Sequence, residues 1–554
     1  MEKIRNAFTP SEKDYDHEVG VEVLPGTEIM RDENGRAVAH LHNEQSGAVL
    51  VPQPSENLDD PLNWSPIWKW IVLINQGCFV LISVITNLSL APLDNIYILL
   101  WNKSATHVAL LTGATVLSLG YANFIIVPTA ELYGRRFVTL VCGLVCLGGD
   151  IWQAAAQSYN SFLGARIITG LGAAINESLL PMIITDMFFL HERGKYVGVY
   201  FCCYFNGLFL GPIISGGVAQ HVSWRWFFWA CAIVQGFNVL SLLFLFPETR
   251  YTRERQTHLP LDTNTPAASV EESATMKPST EAAEHMENFD TENGIAVDSS
   301  LGRGKPTKAQ FKLIQPIDRH AWKTIARHVI TPFNLIFFPI IALSIMVMGG
   351  AANALLMINL LQSAAFTASP YNFNTGAVGL TNFALVVGGT IALLTAGPVS
   401  DWIAKQKTMR NNGIREPEMR LIALAPLIVM TVVSMVIIGV GWDRGWDWRI
   451  VVILGFGFLG YVVVALPTVS ITYAVDCYKP VSGEIMVIAT VCKNTFGFGS
   501  TYFANNWAVA SGYNPPVMLL MGITAGSALV LLVFFTYFGK TMRRLTKNHK
   551  VHSL

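Results

Sequence analysis

The chain has 554 residues, 52% of them hydrophobic and only 14% charged, and its 38 basic and 38 acidic residues cancel. Soluble domains carry about 25% charged residues, so a water-soluble globule of this make-up would expose large apolar patches. Zero net charge also removes the usual electrostatic basis for binding nucleic acid, and no nucleic-acid partner is expected.

In chain order, residues 1–56 are polar and acidic and lack the basic start and short apolar core of a cleaved signal, so the first span is expected to act as its own insertion signal. Apolar runs long enough to cross a hydrocarbon core of ~30 Å then fall at 68–91, 107–130, 137–156, 162–185, 196–219 and 225–246. Six more fall at 333–357, 376–399, 420–440, 449–474, 484–507 and 515–538. The expected organisation is a disordered cytosolic tail (1–66), a six-helix bundle (67–247), a largely disordered cytosolic linker (248–330), a second bundle (331–539) and a basic cytosolic tail (540–554). The linker is rich in Thr, Glu, Ser, Ala and Pro and has too little apolar surface to fold.

Connectors after spans 2, 4, 8 and 10 carry ten Lys or Arg residues, from Arg135 and Arg136 to Lys479. The opposite connectors carry four: Lys103, Arg225, Arg444 and Arg449. The excess places both termini inside. Asn102-Lys-Ser104, between spans 1 and 2, is then an external glycosylation acceptor at Asn102. The eight cysteines lie in or beside apolar runs without CxxC spacing and read as packing residues. No metal, nucleotide or nucleophile–base pattern is present, so neither a cofactor nor an enzymatic activity is expected.

An internal repeat supports two homologous halves. Pro128-Thr-Ala-Glu131-Leu-Tyr-Gly-Arg135-Arg136 ends span 2, and Pro398-Val-Ser-Asp401-Trp-Ile-Ala-Lys405 ends span 8. Both read P-x-x-acid-x-x-x-base, at a constant offset of 270 residues. Glu131, Arg135, Arg136, Asp401 and Lys405 are therefore expected to form a cytosolic gate, with acid and base pairing across the two halves.

The first of these loops resembles the signature of the major facilitator superfamily, matched at Glu131, Gly134, Arg135 and Arg136. It departs at Val127, where that family has Gly, and at Glu131, a longer acid than the usual Asp. Arg166, Gly170 and Gly172 are similar to the family's R-x-x-x-G-x-G pattern. Gly207-x-x-x-Gly211-Pro212-x-x-x-Gly216-Gly217 in span 5 resembles the motif of its drug:proton antiporters. Asp60-Pro-Leu-Asn-Trp-Ser65, Asp186-x-Phe-Phe-x-His191-x-Arg193-Gly194 and Asn412-Gly-Ile-Arg415-x-Pro417-Glu418-x-Arg420 are similar to a fungal subgroup that includes cation and polyamine carriers. The resemblance covers about residues 58–540. It implies an all-α membrane fold of two six-helix bundles with pseudo-twofold symmetry around a central cavity. It further implies a monomer that exchanges protons and a small-molecule substrate across the cell membrane or the vacuolar membrane.

Arg166 and Glu177 stand eleven residues apart, three turns of an unbroken helix, and would share one face of span 4. The resemblance implies a role in proton coupling for Arg166, and Glu177 is the acid placed to carry the proton. Ionisable or polar groups inside spans normally face a cavity or a partner. Asp94, Asn123, Tyr204, Asn353, Lys493 and Asn494 are the candidates for the substrate cavity. Proton-driven efflux of a small amphipathic compound is the leading expectation, with an organic cation or polyamine carrier and a transporter-like nutrient sensor as alternatives. Glu177 and Asp94 favour cations, whereas Lys493 and Arg166 oppose them.

Tag-accessibility mapping is expected to find the Asn102 loop outside the cell and the Glu131 and Asp401 loops inside. Labelling of the Asn102 loop only after permeabilisation would refute this topology.

Overall fold

The computed structural model describes residues 57, 59–251, 304–313, 329–411, 414–478 and 481–546, together with three two-residue strands at Tyr15–Asp16, Val21–Glu22 and Glu28–Ile29. Most of the N-terminal tail and of the linker, where disorder is expected, lies outside these residues, as does most of the basic tail.

Span 1 starts with Pro66 at its first position, where a missing N–H costs nothing. It runs to Asn87 and continues through a turn at Ala91–Leu93 into the helix Asp94–Trp101. Spans 2 and 3 are Ala105–Tyr133 and Arg135–Ala155. Span 4 is broken into Tyr159–Ala173 and Ile175–Met187, and spans 5 and 6 are Leu190–His221 and Trp224–Leu245. Ser104, Ser158 and Ser223 accept a backbone N–H at the starts of spans 2, 4 and 6, each satisfying a donor with no partner inside its own helix.

In the second half, span 7 is Pro339–Thr367, and span 8 is Thr375–Thr381 followed by Phe383–Arg410. Span 9 is Leu424–Arg444, and span 10 opens as a π-helix at Ile450–Phe456 before Gly457–Cys477. Spans 11 and 12 are Ser482–Ser511 and Asn514–Thr546. Among the described residues, eleven helices are long and apolar enough to cross a membrane. Span 11 is the exception: its 30 residues include Glu484, Lys493, Asn494 and Asn505, all turned toward protein. A helix walled in by its neighbours need not be apolar all round.

The halves meet along two seams, span 2 against span 11 and span 5 against span 8. Exchanging each span of the first pair for its counterpart six places away in the other half, 2 for 8 and 11 for 5, gives the second pair, as a twofold relation between the halves requires. Small residues set the separation at both seams. A Cβ on Gly113 would come within 2.6 Å of Thr501, one on Gly120 within 2.8 Å of Asn494, and one on Gly216 within 2.8 Å of the Thr375 carbonyl. Thr106 donates to Asn506 (2.8 Å), Asn505 to the Ala105 carbonyl (3.3 Å) and Asn95 to Thr367 (2.9 Å), tying the halves together at the end remote from the Glu131 and Asp401 loops.

Part of the linker is built into the first half. Gly304 donates to the Asn63 carbonyl and accepts from the Ser65 N–H (3.0 and 2.9 Å), beside fully buried Trp64. The Glu248 N–H reaches the Gln310 carbonyl (2.9 Å), and Phe311 packs edge-on to Trp68 with the Arg136 guanidinium over its ring. The Asp60–Ser65 motif thus supplies the backbone groups that seat Gly304, with Asp60 capping the Leu62 N–H (3.0 Å).

Spans 8 and 10 touch where Gly388 faces the Gly457 carbonyl, and a Cβ there would collide with backbone. Gly388→Val is expected to destabilise the second half by about 1–3 kcal/mol, the usual size of overpacking. Thermal melting of the detergent-purified protein checks this, and an unchanged melting temperature would contradict the packing described.

Candidate functional site

Span 4 is interrupted at Ala174, where the Glu177 N–H bonds the Ala174 carbonyl (3.2 Å) in a tighter turn than the α-helix makes. Pro181 adds to the irregularity, because it has no N–H for the carbonyl four residues earlier. Arg166 and Glu177 therefore do not continue one helical face, and no hydrogen bond or ion pair joins them.

Glu177 points instead across the interface. Its Oε1 accepts from Lys493 Nζ at 2.5 Å and from the Tyr204 hydroxyl at 2.8 Å, and its Oε2 accepts from Asn494 Nδ2 at 3.4 Å. The side chains of Glu177 and Lys493 are 7% and 11% exposed, so the pair is shielded from water and an unmatched charge here would be expensive. Tyr200 completes this wall by donating to the Asn176 carbonyl (2.7 Å). Asn353 enters from span 7 and donates to the Lys493 carbonyl (3.2 Å). Four of the predicted cavity residues, Tyr204, Asn353, Lys493 and Asn494, thus gather around the predicted coupling acid.

Arg166 is the centre of a second network inside the first half. Fully buried, it donates from Nε to the Leu111 carbonyl (3.4 Å), from Nη1 to the Thr86 carbonyl (3.0 Å) and Gln153 Oε1 (3.4 Å), and from Nη2 to the Asn87 carbonyl. One guanidinium therefore binds spans 1, 2 and 3 to span 4. Its electrostatic neighbours are Asp94, Asp150 and Tyr97. Asp94 sits in the first turn of Asp94–Trp101, where a helix N-terminus favours an acid. It lines a small recess with Leu88, Thr112, Leu356 and Asn359 between the halves. Asn123 stays apart from Arg166: its Nδ2 returns to the Leu119 and Gly120 carbonyls of its own helix (2.9 and 3.3 Å). Asp150 and Gln153 escape a reading based on flanking motifs, since each is a lone polar residue in an apolar run.

The two repeated loops form matching clusters at one end of the molecule. Arg135 pairs with Glu131 (2.9 Å) and with Asp186 at the end of span 4 (3.3 Å). Arg420, preceding span 9, pairs with Asp401 (2.8 Å) and with Asp476 at the end of span 10 (3.5 Å). In both halves an arginine near the start of the third span thus joins an acid of the second to an acid of the fourth. Each of these described ion pairs stays within its own half rather than crossing between halves. Asp401 takes Arg420, and Lys405, four residues on, is exposed to solvent. The Pro417-Glu418-x-Arg420 motif was the available signal for this role. Arg136 donates to the Phe246 and Leu243 carbonyls, and Glu248 accepts from the Arg135 and Arg136 N–H groups (2.9 and 3.1 Å). Gly134 makes that approach possible: it holds φ +98°, and a Cβ would strike the Glu248 carboxylate.

In span 5, Gly207 and Gly211 press on the backbone of span 1, while Pro212 and Gly216 meet span 8. Gly217 borders open space. A recess of about 630 Å³ is lined by Tyr502, Phe503, Asn506, Trp507 and Leu519 and includes none of the candidate residues.

A family model described as Major Facilitator Superfamily matches residues 72–501. The chain is 26% identical to Protein HOL1 of Saccharomyces cerevisiae, with 93% of each chain covered. It is 23% identical to a protein named probable efflux pump mfs2 of Aspergillus flavus, over 80% of this chain and 95% of that one. Among solved structures, the proton:xylose symporter XylE shares the fold, with a TM-score of 0.55, 13% identity and coverage of 87% of this chain and 99% of its own.

Because Arg166 satisfies carbonyls from two neighbouring spans, Arg166→Lys removes most of its donors and leaves them buried and unpaired. A loss on the order of 2–4 kcal/mol is expected, seen as a lower melting temperature and lower abundance. Wild-type stability in Arg166→Lys would remove the structural role.

Proposed function

The chain belongs to the major facilitator superfamily, whose members are transporters rather than enzymes, and we propose that it exports small amphipathic organic compounds in exchange for protons. The observation that carries this reading is the buried Glu177 carboxylate, held jointly by Tyr204 of its own half and by Lys493 and Asn494 of the other. Alternating access moves spans 4 and 11 relative to one another. Once they part, Glu177 keeps only Tyr204, and a bare carboxylate in so dry a place is disfavoured by several kcal/mol. It must then take up a proton or a cation, which ties the movement of the halves to the binding of one or the other. Arg166 holds the wall on which span 4 pivots.

The basic end is the cytosolic one in this reading, with Asn102 outside and the protein in the cell membrane. The Arg135 and Arg420 clusters would brace each half as it rocks. A relative named as an efflux pump supports the outward direction. A second reading, carriage of an organic cation, is favoured by the same carboxylate, since every group it contacts is a donor.

Glu177→Gln, reconstituted in liposomes, is expected to abolish substrate flux driven by a pH gradient while leaving exchange of substrate between the two sides partly intact. Flux is normalised to the amount of inserted protein. Normal pH-driven flux per molecule in Glu177→Gln would retire the mechanism.

A further inference from the structure

This inference rests on Glu177 as the coupling carboxylate and names the cargo it takes. We propose that Lys493 is a tethered counter-ion that occupies the seat of a protonated organic amine, and that the cargo binds by displacing it from Glu177.

The chemistry of the contact leads there directly. Beyond its Cα, the Lys493 side chain is a primary alkylammonium, so the structure already presents one such group bound to the Glu177 carboxylate at 2.5 Å. The remaining contacts, the Tyr204 hydroxyl and Asn494 Nδ2, also donate to that carboxylate. A carboxylate surrounded by donors, one of them cationic, is complementary to a ligand with a single positive charge and N–H groups. Lys493 reaches it only while spans 4 and 11 lie together. When they separate, a free ammonium can supply the missing charge and the tethered one cannot.

The wall beside the carboxylate specifies the rest of the ligand. Tyr200, Phe201, Tyr204, Phe205 and Phe209 form a ladder along span 5, with successive ring centroids 4.8–6.2 Å apart. Tyr204 belongs to the ladder and also donates to Glu177. An ammonium seated at Glu177 therefore has aromatic faces within reach of its carbon substituents, which suits a cation carrying an apolar or aromatic body. Asp94, the other buried acid at this interface, already has Arg166 as an electrostatic neighbour. The predicted cargo is an amphipathic amine of single charge.

The experiment measures binding of radiolabelled 4-phenylbutylamine to the full chain in lipid nanodiscs, with 4-phenylbutan-1-ol as a neutral match of the same shape. Lys493→Gln is expected to bind the amine about tenfold more tightly than wild type, the size of one charge-assisted hydrogen bond no longer in competition. Lys493→Arg should bind it more weakly than wild type, because a guanidinium grips the carboxylate through two bonds. Glu177→Gln should bind it too weakly to measure, and the alcohol should not compete in any variant. Unchanged amine affinity in both Lys493 variants, or competition by the alcohol, would overturn the proposal. If Lys493→Gln melts too low to assay, the ratio of Lys493→Arg to wild type decides, since a purely structural pair predicts equality. Proton movement is followed separately with a pH-sensitive dye in proteoliposomes. Absence of cargo-linked proton flux in wild type would refute the coupling reading, whereas a failed affinity order with intact proton flux would refute only this one.

Discussion

The Glu177–Lys493 contact is an ion pair placed where neither partner has much water, and its two ends belong to different halves of the molecule. A buried pair of this kind adds little net stability, because desolvation offsets most of the attraction, yet loss of either partner is strongly destabilising. That asymmetry makes the pair a constraint on motion more than a fastener. In the mechanism proposed here the halves separate at this level only when something else neutralises Glu177, and the neighbouring groups suit that requirement. Tyr204 holds the carboxylate from its own half, while Asn494 holds it, with Lys493, from the other. Span 11 is too polar to pass as a membrane helix by composition because it brings this donor set to the interface.

The same rule, that no charge is left without partners in a dry region, accounts for the rest of the polar architecture. Arg166 is satisfied by backbone carbonyls and an amide instead of an acid in direct contact, which makes it a structural centre for spans 1 to 4. Arg543 and Glu418 form a bidentate pair (2.9 and 2.8 Å) that fastens the end of span 12 to the segment before span 9. At the basic end, Arg135 and Arg420 each join an acid of the second span of their half to an acid of the fourth. These pairs cross-link spans within each bundle, whereas at the seams between the bundles glycines bring spans 2 and 11, and 5 and 8, close together.

The motif Asp60-Pro-Leu-Asn-Trp-Ser65 shows how a short sequence signature acquires a physical role once folded. Its backbone pairs with Gly304, its tryptophan is fully buried, and Asp60 caps the turn. Gly304, a residue of the linker, is thereby held against the first half. Arg136, a residue of the signature loop, stacks on Phe311 from the other side. The connection between the halves is thus anchored beside the loop whose geometry depends on Gly134 and Glu248.

Much of this was legible in the sequence, and for identifiable reasons. The spans follow from the requirement for about twenty apolar residues to cross a bilayer, a purely local property. The two-half organisation follows from repetition of P-x-x-acid-x-x-x-base at a constant offset of 270 residues, and the singling out of Glu177 and Lys493 follows from the cost of ionisable groups within apolar runs. Which charge meets which is not local. The turn at Ala174 separates Arg166 from Glu177, although eleven residues of straight helix would have aligned them. Asp401 takes Arg420, nineteen residues on, rather than Lys405 one turn away. Spacing along a chain sets the faces of a regular helix, but ion pairs form between whichever side chains packing brings within a few ångströms. The sequence by itself therefore determined where the membrane helices and their charges lie, and only the tertiary structure decided that Glu177 is shared between the halves while Arg166 is enclosed within one.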